Sequence, residues 1–528
     1  MRDFHLAGRS PIRVAEAAAA TSHPLATLTA IEALRDGGNA IDAAIAAAAV
    51  LCVVEPQSTG IGGDGFMIYA PRGGAELVAF NGSGRAPRAA EVDWYLGRGF
   101  TEIPPFGPHA VTVPGVVDAW TRILADHGSR DLAHLLKPAI RYAEDGYVVK
   151  DRVAFDWSRA AERLAQDANA ARILLPGGRA PLPGERHRQP ELAATLKAIA
   201  AHGRDGFYGG PVAEDIVSYL RSLGGLHTLE DFAETRGEYV TPVRGRYRGV
   251  DIHQIPPNNQ GLTALLMLNI LSGFALAELD PLGAERLHLE IEAGRLAFRD
   301  RNAFIADPRQ VEVPVSELLS PSYAQRLARL IDRGRALTEL PPPLLRKSDT
   351  VYLCVVDRDR NAVSFINSVY HAFGSGLVSP RTGVALQNRG ASFNLERGHP
   401  NCIAPGKRPL HTIMPGFASR DGCALMPFGV MGGDYQPVGH VHLLTNMLDY
   451  GMDPQAALDA PRVFLEEGQV EVERGVAPQV VAALEAKGHR CVVPDVPHGG
   501  GQAILIDWQA GTLTAGSDPR KDGLALGY

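Results

Sequence analysis

The sequence predicts a layered α+β sandwich. Strand-like and helix-like segments alternate along 528 residues with few long linkers, 45% of the residues are hydrophobic and 21% charged, and no internal repeat interrupts the pattern. A chain of this length holds enough apolar material for a sizeable core. The net charge of −7 and the pI near 6.2 give no electrostatic case for nucleic acid, because no basic stripe interleaved with aromatics accompanies them. Five cysteines (52, 354, 402, 423 and 491) are few, odd in number and widely spaced, so they are read as reduced and structural rather than as a disulfide framework or a zinc motif. The first ten residues lack the apolar stretch of a secretory signal, from which a cytoplasmic protein is expected. The most apolar run, Ile41 to Val54, contains Asp42 and is too short to cross a bilayer; it is read as a buried helix.

In chain order, Pro24 to Arg35 has helical apolar spacing, and Asn39 or Asp42 opens a second, alanine-rich helix. Gly60-Ile61-Gly62-Gly63-Asp64-Gly65 spells GxGxxG. A dinucleotide fingerprint must open a helix, however, and Phe66 to Ala70 is strand-like, so a tight glycine turn into a sheet is predicted. Glu76 to Phe80 is a further strand, followed by a glycine-rich loop from Asn81 to Pro87. Residues 116 to 235 are helix-rich, Tyr239 to Gln254 alternates like strands, and Leu262 to Leu271 and Glu285 to Ala303 are helical. Pro341-Pro342-Pro343 and Arg346-Lys347 mark an exposed connection. Beyond it, Gly376 to Leu386 is read as strand and turn, Pro437 to Tyr450 and Pro454 to Ala460 as helices, and Gln469 to Glu473 and Gln502 to Trp508 as strands.

The centre of the chain is a buried hairpin. Val351 to Val356 is rich in β-branched residues, Asp357-Arg358-Asp359-Arg360-Asn361 is a polar turn, and Ala362 to Ser368 is apolar again. With the five-residue turn as the loop, Val356 faces Ala362, and the same register places Thr350 opposite Ser368.

Asp349-Thr350-Val351-Tyr352 and the hairpin that follows resemble the autoprocessing junction of the γ-glutamyltranspeptidase family, in the N-terminal-nucleophile hydrolase superfamily. The likeness extends from Gly37-Gly38-Asn39-Ala40 through Gly60 to Met67, Val113-Pro114-Gly115 and Gly224-Gly225-Leu226 to Phe373-Gly374-Ser375-Gly376, Lys407-Arg408-Pro409-Leu410, Met431-Gly432-Gly433 and Ser517-Asp518-Pro519-Arg520. It implies the four-layer αββα fold with two stacked antiparallel sheets. It also implies a proenzyme cut between Asp349 and Thr350 into a large subunit (1–349) and a small subunit (350–528), which together form one folded unit. The processed pair, or a dimer of such pairs, is the expected assembly. Neither cofactor nor metal is expected, and His440-Val441-His442 is read as structural, because i, i+2 spacing does not suit a helical metal pair.

A threonine hydroxyl is a weak nucleophile, but a threonine at a chain terminus carries its own base in the α-amine, whose pKa of about 7.7–8.0 suits neutral pH. The resemblance makes Thr350 that nucleophile and sets Ser368 where the family carries a second threonine. Gly432-Gly433 supplies backbone N–H groups for an oxyanion hole.

The pocket departs from the γ-glutamyl pattern. Where the family holds the substrate α-carboxylate with an arginine before Glu-x-Ala-Pro, this chain reads Ser83-Gly84-Arg85-Ala86-Pro87, leaving Arg85 as the substitute clamp. In place of the acid that binds the α-ammonium stands Ser392, within Gln387-Asn388-Arg389-Gly390-Ala391-Ser392-Phe393, and Arg389 replaces a neutral amide. Tyr370 stands for an asparagine and His411-Thr412 for Ser-Ser, and the short run from Phe393 to Lys407 omits the lid loop of some members. Losing an acid and gaining an arginine favours a carboxylate over an ammonium. The expected activity is therefore hydrolysis of a small anionic amide, as in the oxamate amidohydrolase branch, which yields oxalate and ammonia. A γ-glutamyl hydrolase or transpeptidase, or a cephalosporin-acylase-like amidase, is the alternative. An unprocessed, non-enzymatic binding protein is the reading from another class.

Overall fold

The computed structural model describes residues 8–74, 76–338, 349–466 and 468–528. The expected connection at Pro341–Pro343 and Arg346–Lys347, and the start of the N-terminal stretch, lie outside the described residues. Two seven-stranded antiparallel sheets stack face to face. In the first, the strands run in the order Leu524–Gly527, Ala18–Thr21, Asp349–Val356, Ala362–Tyr370, Asp64–Ala70, Val78–Gly82, Glu238–Val240. In the second the order is Ile12–Val14, Thr512–Ser517, Gly500–Asp507, Cys423–Met431, Gly416–Arg420, Val250–Gln254, Val243–Tyr247. The hairpin is thus central to its sheet, and each sheet draws strands from both sides of Thr350.

Side-chain alternation builds the layers. From Val351 to Val356, residues 351, 353 and 355 enter a core shared with the helices Pro24–Arg35 and Ala40–Val54, while Tyr352, Cys354 and Val356 enter the core between the sheets with Phe417 and Ile504. Because both faces are covered, the strand is apolar throughout. The helices Gly261–Leu271, Ala284–Phe304 and Gln436–Leu448 cover the far face of the second sheet.

The helix Pro24–Arg35 has the bounds its spacing predicts. The next begins at Ala40 because Asn39 and Asp42 form a capping box, each side chain accepting from the other's backbone N–H. Two expectations are corrected. The strand read at Glu76–Phe80 is Val78–Gly82, since its partner pairs Tyr69 with Val78 and Gly65 with Gly82. Gly376 to Leu386 forms no strand beyond the isolated bridges Val378–Ala385 and Gly62–Leu386, because Gly376 and Gly383 take positive φ (76° and 66°) and turn the chain away. Gly60–Gly63 is a turn, as expected, and two of its glycines are needed for close approach: a Cβ on Gly62 would lie 2.2 Å from the Ala385 carbonyl oxygen, and one on Gly63 2.2 Å from that of Ser368. All five cysteines are unpaired. Among the described residues, no helix is long and apolar enough to cross a membrane.

Candidate active site

Thr350 lies at the start of its strand, fully buried. The hairpin register runs Val356–Ala362 to Val351–Asn367 and then shifts, so that Asp349 pairs with Tyr370 and Thr350 falls in the irregularity. The two hydroxyls still meet, with Thr350 Oγ1 3.2 Å from Ser368 Oγ. Ser368 Oγ also accepts the Tyr370 amide at 2.8 Å. Gln436 Nε2 approaches Thr350 Oγ1 at 3.5 Å, while its Oε1 accepts the Met414 amide at 3.0 Å. Tyr370 holds φ of 82°, a rare conformation for a bulky residue and one that is stored where the surroundings enforce it.

Arg389 is 0% exposed. Its guanidinium lies 3.9 Å from the centroid of the Tyr370 ring, and Nη1 donates to Thr412 Oγ1 at 2.8 Å. Nε and Nη2 are buried with no hydrogen-bond partner among the described residues. Burial pulls its pKa down to about 10, partly offset by Tyr370, Asp64 and Asp434, so it stays charged at neutral pH. The Ser392 hydroxyl is likewise buried without a partner among the described residues.

A second group holds these residues in place. Gln260 Nε2 donates to the carbonyls of Thr412 (2.6 Å) and Gly433 (3.0 Å), joining the loop that carries Arg389's partner to the glycine pair. Gly432 and Gly433 adopt φ of 124° and 61° and lead through a 3₁₀ turn into the helix Gln436–Leu448, which begins at the residue contacting Thr350. Asp64, the register partner of Ser368, accepts through Oδ1 from the amides of Gly84 (2.9 Å) and Gly115 (3.0 Å) and from Gln387 Nε2 (2.9 Å). Its Oδ2 lies 3.0 Å from His411 Nε2. The Ile413 amide donates to His411 Nδ1, so Nε2 carries the hydrogen and donates to Asp64. Burial lowers the His411 pKa to about 3, which leaves the ring neutral.

Thr350, Ser368, Tyr370, Arg389, Thr412 and Gly433 therefore form one contiguous set, with His411 attached through Asp64. Arg85 is directed elsewhere: its Nη1 donates to Asp307 (3.4 Å) and to the Gly406 carbonyl (3.1 Å), and Glu238 lies 3.9 Å from Nη2. Ser83 donates to Asn81 Oδ1 at 2.7 Å. The Cys354 thiol is buried and pushed upward in pKa by desolvation, the opposite of what a thiolate nucleophile needs. His440 and His442 are buried beside Gln254 and Glu290. Asp64, Gln260 and Gln436 were not singled out by sequence reasoning. The available signals were the position of Asp64 inside the Gly60–Gly65 run and that of Gln436 just after Gly432-Gly433.

A cleft of about 460 Å³ opens beside the glycine pair, lined by Gly432, His371, Arg163, Tyr435, Glu466 and Lys521 among others.

Residues 26–528 match the family model for gamma-glutamyltranspeptidase. A glutathione hydrolase-like proenzyme of Bacillus subtilis (strain 168) is 40% identical over 515 residues, spanning 96% of this chain and 97% of that protein. The oxamate amidohydrolase proenzyme of Klebsiella pneumoniae is 38% identical over 526 residues, spanning 97% and 98%. The crystal structure of a cephalosporin acylase from Bacillus halodurans superposes with a TM-score of 0.94 at 41% identity, covering 100% of this chain and 98% of that one.

Proposed function

The chain belongs to the gamma-glutamyltranspeptidase family and is an amidohydrolase with the N-terminal-nucleophile fold; from that premise we propose that it frees Thr350 by self-cleavage and then hydrolyses a small carboxylate-bearing amide, with oxamate the leading candidate. The observation that carries the substrate class is Arg389, a buried cation with two guanidinium nitrogens unpartnered among the described residues, stacked on the tyrosine whose amide holds Ser368. A buried, unpaired charge is costly, and an anionic ligand removes that cost. Relatives named oxamate amidohydrolase proenzyme and glutathione hydrolase-like proenzyme lend support to processing and to amide hydrolysis.

In processing, the Thr350 hydroxyl attacks the Asp349 carbonyl, the peptide C–N bond breaks as the acyl group moves from nitrogen to oxygen, and water hydrolyses the resulting ester. The products are an Asp349 carboxylate and a free Thr350 amine. In turnover that amine takes the hydroxyl proton as Oγ1 attacks the substrate carbonyl. The amides of Gly432 and Gly433 face the developing oxyanion, and the proton passes to the departing amine. Water then releases the acid. Ser368 and Gln436 orient Oγ1, and Arg389 fixes the carboxylate so that the carbonyl is presented to it. By the resemblance, Ser392 stands in the sequence where the family carries the acid that binds an α-ammonium, so this chain lacks that acid.

Processed enzyme is therefore expected to release ammonia from oxamate with higher kcat/KM than it releases p-nitroaniline from γ-glutamyl-p-nitroanilide. The reverse order overturns the carboxylate-amide reading and leaves a γ-glutamyl enzyme. One observation favours a second reading: the cleft of about 460 Å³ beside Gly432 is far larger than an ammonia leaving group requires. An acylase-type enzyme, acting on an amide with a bulky amine half, would use that space, and a glutaryl amide with such a leaving group belongs in the same assay.

Ser368→Ala is expected to lower kcat by about 10²- to 10⁴-fold with little change in KM, because it removes a group that orients the attacking oxygen rather than one that grips the substrate. Steady-state kinetics on processed protein check this, and an unchanged kcat would remove Ser368 from the mechanism.

A further inference from the structure

His288 and Glu292 lie one turn apart on the helix Ala284–Phe304, and His489 reaches them from the loop after the helix Pro478–Ala486. All three are buried, and their ligand atoms lie within 4.8 Å of one another. We propose that His288 Nδ1, His489 Nε2 and a Glu292 carboxylate oxygen form a binding site for a zinc-class divalent cation, with a fourth position left for water. The inference goes beyond the amide chemistry and departs from the sequence expectation that the chain carries no metal site.

Three features fit. His288 Nε2 lies 2.8 Å from the Asp332 carbonyl oxygen, so it carries the hydrogen and leaves the Nδ1 lone pair turned toward His489 Nε2, 2.8 Å away. A metal-bound histidine is typically oriented in this way, by donating its other N–H to a carbonyl. Glu292 is aimed in the same manner, with Arg295 Nη1 at 3.0 Å from Oε1 and the Leu337 amide at 3.0 Å from Oε2. Two histidines and one carboxylate are also a set that zinc accepts at about 2.0–2.2 Å, with an open position. At tetrahedral angles two such nitrogens stand ~3.3 Å apart, so His489 must draw back by roughly 0.5 Å and shift its hydrogen to Nδ1. It sits on a loop that leaves it 7% exposed.

The site straddles the junction. His288 and Glu292 precede Thr350, His489 follows it, and Asp332 and Leu337, which hold the ligands, belong to the same upstream segment. A bound cation would tie the two processed chains together, a consequence that rests on the self-cleavage reading, whereas the binding itself does not. No sequence motif signals the site, since His288 and His489 are 201 residues apart.

Titration of tag-free, metal-stripped full-length protein with Co²⁺, followed by visible absorption and then displacement by Zn²⁺, tests the proposal. One equivalent should saturate the signal in wild type and equally in uncut Thr350→Ala protein, so a failure of self-cleavage is read separately. His489→Ala and Glu292→Gln should each weaken binding by ~100-fold or more, given that loss of an outer partner alone costs about 10- to 100-fold. His134→Ala, at an exposed histidine, should leave it unchanged. Zn²⁺ should raise Tm in wild type and not in His489→Ala. Absence of one-equivalent uptake, or uptake indifferent to both ligand substitutions, overturns the site and leaves a hydrogen bond from His489 to His288.

Discussion

Thr350→Ala yields a single uncut chain of 56.4 kDa and amide hydrolysis reduced by at least ~10⁴-fold, to the floor of the assay. Two losses coincide in this variant. Without the hydroxyl nothing attacks the Asp349 carbonyl, so the α-amine that would serve as base is never freed, and no nucleophile remains for a substrate. Thr350→Ser separates them: it keeps a hydroxyl that can reach Ser368 and so should still cut, more slowly. Denaturing gel electrophoresis and N-terminal sequencing decide the matter, because the small chain of wild type should begin Thr-Val-Tyr-Leu. A different N-terminus, or cleavage persisting in Thr350→Ala, removes Thr350 from the reaction and makes the unprocessed binding protein the better reading.

The junction was legible because its information is local. Val351 to Val356 is apolar without interruption, since the strand is buried on both faces, and the turn closes on itself as Asp357 Oδ1 accepts from the amides of Asp359 and Asn361. Counting outward from that turn brought Thr350 to Ser368, and the irregularity at the strand end did not separate the two hydroxyls. The centre of the second sheet was not legible. Cys423–Met431 contains Pro427 and Gly429, residues that argue against an interior strand. Pro427 falls outside the run Phe428–Met431 that pairs with Gly500–Asp507, and Gly429 is glycine because the Tyr352 ring would lie 2.5 Å from its Cβ. Both reasons are tertiary.

The same distinction divides the site. Arg389 stood out because an arginine replaced an amide in a recognised run, but that alone did not separate it from Arg85. The fold does: Arg85 is held by Asp307 and the Gly406 carbonyl, whereas Arg389 is enclosed beside Tyr370. Asp64 stayed hidden, since its partners Gln387 and His411 are 323 and 347 residues away and only folding shows that one carboxylate secures two loops to the strand next to Ser368.

Arg389→Ala should lower kcat/KM for oxamate by roughly 10- to 150-fold, the equivalent of about 1.5–3 kcal/mol for one charge-assisted contact. Burial depresses its pKa only to about 10, so the side chain is cationic across the assay range and pH should not mimic the mutation. Thr412 takes one N–H, leaving the edge formed by Nε and Nη2 for a carboxylate, a pairing that the planar fork makes bidentate. Arg389→Lys keeps a charge but loses the fork and the stacking on Tyr370, and should fall between alanine and wild type. Arg85→Ala, which breaks a contact to Asp307 instead, should register in Tm rather than in kcat/KM. Because the alanine variant also removes the repulsion between this guanidinium and an α-ammonium, its activity on γ-glutamyl-p-nitroanilide should be retained or raised, reversing the preference between the two substrates. Full oxamate activity in Arg389→Ala would show that the carboxylate is held elsewhere, and equal losses on both substrates would assign Arg389 to the structure of the pocket rather than to charge selection.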